Sequence, residues 1–164
     1  MTELKGVDEL LAKLQSVTYE TQRKTGRSAL RKASAIVRDA AIANAARLDD
    51  SKTRENIAKN IRLQWNNRLF KRTGNLGFRV GVLGGAKRVA KAAGEIQGKG
   101  RNNPGGDTWY WRFLEFGTQF IGERSFLRPA LEQNTQQAAD AFIQTYKKGI
   151  DSAIKRANKR GGRA

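Results

Sequence analysis

The residue types that carry most enzyme chemistry are sparse in this chain of 164 residues, which contains no histidine and no cysteine. This composition excludes imidazole bases, thiolate nucleophiles, disulfides and thiolate or imidazole metal sites. Carboxylate catalysis stays open, but the 15 acidic residues are scattered, and the adjacent aspartates Asp49 and Asp50 lie in a polar stretch typical of an exposed turn. No glycine pattern has the spacing of a nucleotide-binding loop. We therefore expect no catalytic residue, no metal, no cofactor and no enzyme activity.

Binding chemistry is better represented, because 32 lysines and arginines give the chain a net charge of +17. A charge of this size implies an anionic partner, which could be nucleic acid, a membrane surface or acidic protein. Arg101 and Arg112 flank the aromatic run Trp109, Tyr110 and Trp111, a pattern that could stack single-stranded nucleic acid. The favoured interpretation is that these rings belong to the core. Three consecutive rings cannot all face inward from a helix, so one of them is expected to meet another chain.

Two predicted helices open the chain. The apolar residues between Gly6 and Val17 have the spacing of a short amphipathic helix. This segment is acidic, with Asp8 and Glu9 in the helix and Glu3 just before it. A second helix is predicted from about Tyr19 to Arg47. Its cations form a separate stripe, the arginine arc, which comprises Arg23, Lys24, Arg27, Arg31 and Arg38. The arc fits a solvated face or a partner interface equally well, since five cations without an interleaved acid repel one another.

Alternating residues in 61–65 and 76–82 predict a β-hairpin, with a turn at 71–75. A long basic loop at 84–107 is expected to order only against a partner, through Lys87, Arg88, Lys91, Lys99 and Arg101. An aromatic helix over 109–116 is expected to end at Gly117 with a positive φ, and a long helix follows from Pro129 to about Ala157. Glu115 is expected to be at least partly buried, facing backbone N–H groups or a cation, Arg124 or Arg128. The predicted fold class is α+β, with helices packed on a small antiparallel sheet built around the hairpin and a long C-terminal helix. Residues 1–158 are expected to form one domain, with 159–164 as a basic tail.

A specific sequence block begins at Trp111 with WRFLEFGT and continues with SFLRPAL at 125–131. It resembles the signature of a tailed-phage family, the neck and tail-completion (head–tail joining) proteins similar to minor tail protein Z. In that family an aromatic helix ends in Glu-x-Gly-Thr and precedes Pro-Phe-Leu-Arg-Pro-Ala-Leu, and Ser125 stands here in place of the usual proline. The matching residues are Trp111, Glu115, Gly117, Thr118, Phe126, Leu127, Arg128, Pro129, Ala130 and Leu131.

The resemblance implies a structural virion protein, made in the host cytoplasm and located in the neck or tail. It implies a closed ring, expected to be a hexamer, between the head-side connector or stopper and the tail terminator or tail tube. Nonspecific contact with genomic DNA in the channel is expected, and no membrane partner. The residues expected at interfaces are Arg23, Arg27, Arg31, Arg38, Trp109, Tyr110 and Trp111. The alternative is a basic nucleic-acid-binding protein that coats DNA, whose affinity would fall steeply with salt.

Overall fold

The computed structural model of the protein describes residues 18–48, 55–83 and 103–161. Three predicted features lie outside these described residues: the first helix at 6–17, most of the polar stretch at 49–55, and the five loop cations Lys87, Arg88, Lys91, Lys99 and Arg101. In the part of the chain that the structure describes, no helix combines the length and the apolar character needed to span a membrane.

The fold is α+β, as predicted, and is mostly helical with one two-stranded antiparallel sheet. Its elements are α1 (Tyr19–Ala45), a single 3-10 turn (Ala46–Leu48), α2 (Ile57–Asn60), β1 (Ile61–Trp65), α3 (Asn67–Thr73), β2 (Phe78–Val82), α4 (Trp111–Phe116) and α5 (Leu127–Gly161). The second predicted helix, both strands, the aromatic helix and the long C-terminal helix are therefore confirmed.

The connection between the strands differs from the predicted tight turn, because it contains the two-turn helix α3. The Asn66 side chain caps the start of α3 by accepting a hydrogen bond from the Leu69 N–H at 3.1 Å. Gly74 ends it with φ 75° and ψ −10°, the left-handed conformation that glycine adopts without strain. The positive φ expected at Gly74 is thus present, but it ends a helix.

Two backbone hydrogen bonds, one at each end of the sheet, set the strand register. The N–H of Leu83 donates to the carbonyl of Asn60, and the N–H of Asn66 donates to that of Gly77, both at 2.9 Å. This register places Trp65 opposite Phe78, whose ring centroids are 5.3 Å apart. The alternation seen in the sequence is therefore the alternation of the two sheet faces.

The chain folds into two compact units. Among the described residues, the first unit contains 18–34, Trp65–Phe78 and 136–161. Within it, α1 and α5 approach closely through glycines. A Cβ at Gly149 in α5 would overlap the side chain of Thr25 in α1, and one at Gly26 in α1 would lie 3.9 Å from the Tyr146 ring in α5. The predicted division into one domain and a basic tail stays a prediction.

The second unit contains 35–48, 55–64, 79–83 and 103–135 of the described chain. Its core consists of buried apolar side chains from four elements and the loop that precedes α5: Ala41, Ala45, Ile57, Ile61, Phe126 and Ala130. Phe126 is the largest of these and is fully buried. Burial of a side chain of this size contributes roughly 2–3 kcal/mol, which makes Phe126 the main anchor of the unit.

Residues 103–107 differ from the prediction, which placed them in a mobile loop, because the structure buries them in the second unit. The side chain of Asn60 is fully buried and makes two hydrogen bonds to this segment and one to the adjoining Thr108. Its Nδ2 donates to the carbonyl of Gly106 at 2.9 Å and to Oγ1 of Thr108 at 2.8 Å, and its Oδ1 accepts from the N–H of Gly105 at 2.8 Å. The segment is held by polar contacts, which hydrophobic periodicity does not report.

Candidate functional site

The sequence block at 111–131 forms a helix–loop–helix in the second unit, and Glu115 joins its two helices. This carboxylate lies at the end of α4 and is 3% exposed. It accepts hydrogen bonds from the backbone N–H groups of Phe126 (2.9 Å), Leu127 (3.0 Å) and Arg128 (2.9 Å). These are N–H groups at the start of α5, which have no partner within the helix. Glu115 therefore acts as an N-cap supplied from a preceding helix.

The third position of α5 is Pro129, which has no N–H to satisfy. Glu115 and Pro129 together account for the donors of the first turn, and the negative carboxylate also lies at the positive end of the helix dipole. The prediction that Glu115 is buried and faces backbone N–H groups is confirmed. Of the two cations expected near it, Arg128 directs its guanidinium to Glu123 instead, at 2.9 Å.

The loop between α4 and α5 has a fixed backbone. Gly117 has φ 70° and ψ 175°, a conformation that is essentially restricted to glycine. The predicted positive φ is confirmed, although this ψ lies outside the left-handed helical region. Thr118 exchanges bonds with the loop: its N–H donates to the carbonyl of Ile121 at 2.9 Å, and its Oγ1 accepts from Ile121 N–H at 3.0 Å. The N–H of Arg124 donates to the carbonyl of Leu114 at 2.8 Å.

This rigid segment carries an exposed aromatic surface. We use that name for four side chains between residues 109 and 120, with their exposed fractions: Trp109 (51%), Phe113 (43%), Phe116 (65%) and Phe120 (87%). The rings of Trp109 and Phe113 pack edge to face with centroids 5.6 Å apart. Large exposed aromatic side chains are typical of surfaces that meet another protein.

Of the three consecutive rings Trp109, Tyr110 and Trp111, the sequence predicted that one would face away from the core. Tyr110 and Trp111 pack against the core of the second unit. Trp109 is the exposed one. The sequence interpretation missed the three exposed phenylalanines because it assigned most rings of this segment to the core. A helix of only six residues leaves part of its circumference uncovered, and the position of that part depends on tertiary packing.

The arginine arc is not the unpaired stripe that the sequence suggested, because acids lie beside two of its members. Arg23 pairs with Glu20 at 2.9 Å, and Arg38 pairs with its neighbour Asp39 at 2.7 Å. Arg31 and Lys24 are exposed.

Two arginines of the arc stack on aromatic rings in the first unit. The guanidinium carbon of Arg27 lies 4.2 Å from the ring centroid of Trp65, and that of Arg23 lies 5.5 Å from the centroid of Phe70. Such cation–π contacts stabilise by about 0.5–2 kcal/mol and fix the orientation of each guanidinium. These arginines line a cleft of about 320 Å³, the arginine cleft, whose walls are Glu20, Arg23, Lys24, Arg27, Trp65, Asn67, Phe70 and Leu76.

The described side chains form two surfaces suited to binding, the aromatic surface and the arginine cleft. Among these residues there is no cluster of acidic side chains able to hold a metal ion. One titratable group shows a clear shift: burial raises the pKa of Tyr146 above its ordinary value of 10.0. A phenol with a raised pKa stays neutral near pH 7 and does not act as a base there.

Comparison with protein families matches residues 8–117 to one family model, whose description reads "Bacteriophage HK97-gp10, putative tail-component". The match covers more than half of the chain and includes the arginine arc, both strands and Glu115. It ends at Gly117, directly after α4. No curated protein and no solved structure matches the chain.

Proposed function

This chain belongs to the HK97-gp10-like family of bacteriophage tail components, and we propose that it is a ring-forming subunit of the virion neck. In this proposal a closed six-fold ring sits between the head-side connector or stopper and the tail terminator or tail tube. The subunit joins head to tail by contact alone and catalyses no reaction. The family membership carries the tail assignment, and the aromatic surface supports the assembly.

Self-assembly of this protein has to overcome its own charge. Each subunit carries a net charge of +17, so surfaces of average composition on two copies repel each other. An interface between copies must therefore be apolar or bring acids to bases. The aromatic surface provides the first kind, because four large rings are exposed within residues 109–120. This observation carries the proposal that the chain is built to contact another protein.

The sequence block at 111–131 supports the same interpretation, because its backbone is rigid. Glu115 and Gly117 fix the backbone on either side of Phe116, and the Thr118 hydrogen bonds fix the backbone at Phe120. A surface that is already ordered loses little conformational entropy on binding. The block therefore presents its aromatic side chains in a prepared arrangement.

The assembly is tested by removing two of the exposed rings. We expect native mass spectrometry to show a ring for the wild-type protein and mostly monomer for the Phe116→Ser, Phe120→Ser double variant. Both side chains are more than half exposed, so the melting temperature should change little. Tyr19→Ser is the matched control, since Tyr19 is equally exposed (66%) but lies in the first unit. An intact ring in the double variant would exclude the aromatic surface from the interface.

The neck position is tested in the phage. Particles produced without this protein should appear in electron micrographs as complete, DNA-filled heads beside unjoined tails. Normally joined particles would contradict the proposal. The alternative function, a DNA-coating protein, predicts instead that affinity for duplex DNA falls steeply with salt, with a slope set by the number of phosphates contacted. A neck subunit should bind DNA weakly and keep its assembly after nuclease treatment.

A further inference from the structure

The arginine cleft of the first unit has the features of a site for carboxylates. The guanidinium carbon of Arg27 lies over the ring of Trp65, 4.2 Å from its centroid, and Trp65 in turn packs against Phe70 (5.5 Å) and Phe78 (5.3 Å between ring centroids). A guanidinium stacked in this way keeps its N–H donors at its edges, where they can bind a carboxylate in plane. In the described parts of the chain, no carboxylate pairs with Arg27 or Lys24. The cleft therefore holds cationic donors, on Arg27 and Lys24, that have no carboxylate acceptor among the residues the structure describes.

The charge of the cleft defines the sign of its ligand. Among its described lining residues there are three cations and one acid, Glu20, which pairs with Arg23 at 2.9 Å. The aromatic rings of the cleft are also partly covered, since Arg27 lies over one face of Trp65 and Arg23 over one face of Phe70. A nucleobase would need such a face for stacking. These contacts favour an acidic peptide, with carboxylates for the arginines and apolar groups for the Leu76 side of the cleft.

The first 20 residues of the chain have this chemistry. Apart from Glu20, which lines the cleft itself, they carry three acids (Glu3, Asp8 and Glu9) against two bases, and their apolar residues Val7, Leu10, Leu11 and Leu14 recur at helical spacing. A ring requires two different patches on each subunit that meet between neighbours. We propose that the arginine cleft of one subunit binds the acidic N-terminal segment of the next, with Asp8 and Glu9 facing Lys24 and Arg27. This inference rests on the proposed ring.

Crosslinking in the full-length protein tests the contact directly. Copies labelled with nitrogen-14 and nitrogen-15 are mixed, assembled, and treated with a carbodiimide, which joins a lysine to a carboxylate without a spacer. We expect Lys24 to be joined to Asp8 or Glu9 in peptides of mixed isotope composition. Crosslinks confined to a single isotope would show that each segment binds its own cleft, and would overturn the inference. An intact ring without these crosslinks would overturn it as well, while leaving the proposed ring in place.

Charge reversal provides the second arm. Arg27→Glu, or Asp8→Lys together with Glu9→Lys, should raise the concentration needed for half-assembly about ten-fold, which corresponds to the loss of one close charge pair. Combining the Arg27 and Asp8/Glu9 changes should restore most of the wild-type value. Arg31→Glu is the matched control, since Arg31 is exposed on the same helix but does not line the cleft.

If Arg27→Glu disturbs the contact with Trp65 and the fold, the Asp8→Lys, Glu9→Lys variant still tests the contact, because it leaves the cleft unchanged. Equal effects of Arg27→Glu and Arg31→Glu, without rescue, would show general electrostatics and contradict a specific site. Displacement of the crosslinks by a duplex oligonucleotide would assign the cleft to phosphate. A wild-type chain that never assembles would instead refute the proposed ring.

Discussion

Replacement of Glu115 by alanine is the most informative single change in this protein. The substitution removes both carboxylate oxygens and with them the three hydrogen bonds from Phe126, Leu127 and Arg128. It leaves the N–H of Phe126 buried without an acceptor. Water can reach the other two N–H groups more readily, since Leu127 is half-buried and Arg128 is exposed.

The expected loss combines two effects. A buried donor without a partner costs about 1–3 kcal/mol, and loss of an N-cap costs about 1 kcal/mol more. We therefore expect Glu115→Ala to lower the free energy of unfolding by about 3 kcal/mol. Glu115→Gln keeps one acceptor oxygen but loses the charge, which strengthens such bonds about two-fold, and should cost about 1–2 kcal/mol.

Urea titration followed by circular dichroism measures these free energies, and thermal melts should show Glu115→Ala lower by roughly 10 °C. Glu132→Ala is the matched control, because Glu132 is an exposed acid near the start of α5 and should change stability by less than about 0.5 kcal/mol. If the Glu115→Ala and Glu132→Ala variants were equally stable, the capping role assigned to Glu115 would be wrong.

Three further predictions concern the backbone and the two units. Gly117→Ala should lower the free energy of unfolding, measured by urea titration, by about 2–3 kcal/mol, because its φ of 70° is strained for alanine and its Cβ would lie 3.1 Å from the Glu123 nitrogen. Gly122→Ala is the control and should be near neutral, since a Cβ there meets open space. Equal losses for the two variants would contradict this prediction. Asn60→Ala should cost about 3 kcal/mol and increase protease cleavage near residue 105, since Gly105 and Gly106 lose their buried partner. Burial raises the pKa of Tyr146 above 10.0, so the unfolded chain releases this proton first as pH rises. The stability contributed by this group is complete below pH 10.0 and is lost above it. Tyr146→Phe should therefore show a smaller decline in alkaline urea titrations, and an identical decline would reject that role.

Local patterns predicted the elements of this fold. The alternation of 61–65 and 76–82 predicted both strands, because a sheet with one covered face repeats every two residues. Gly117 predicted where the aromatic helix ends, since few other residues tolerate a positive φ there. These features depend on interactions within a few residues of chain.

Contacts distant in sequence explain what the sequence did not predict. Asn60 binds residues 105–108, and nothing in the polar composition of that segment indicates which asparagine it meets. Arg27 is covered by Trp65, which lies 38 positions further along the chain, so its stripe on the helix resembles any solvated face. The same limit applies to Phe113 and Phe116, whose exposure depends on which elements cover α4.

The Glu115 cap also bears on how the longest helix starts to form. Helix nucleation is unfavourable, because several backbone dihedrals must be fixed before the first hydrogen bond of the helix is gained. A carboxylate that already binds the N–H groups of residues 126–128 fixes those dihedrals from outside. The contact closes a loop of only 11 to 13 residues, which costs little chain entropy and forms rapidly. The 35 residues of α5 would then propagate from Leu127 toward the C-terminus, and Glu115→Gln should slow refolding more than it speeds unfolding.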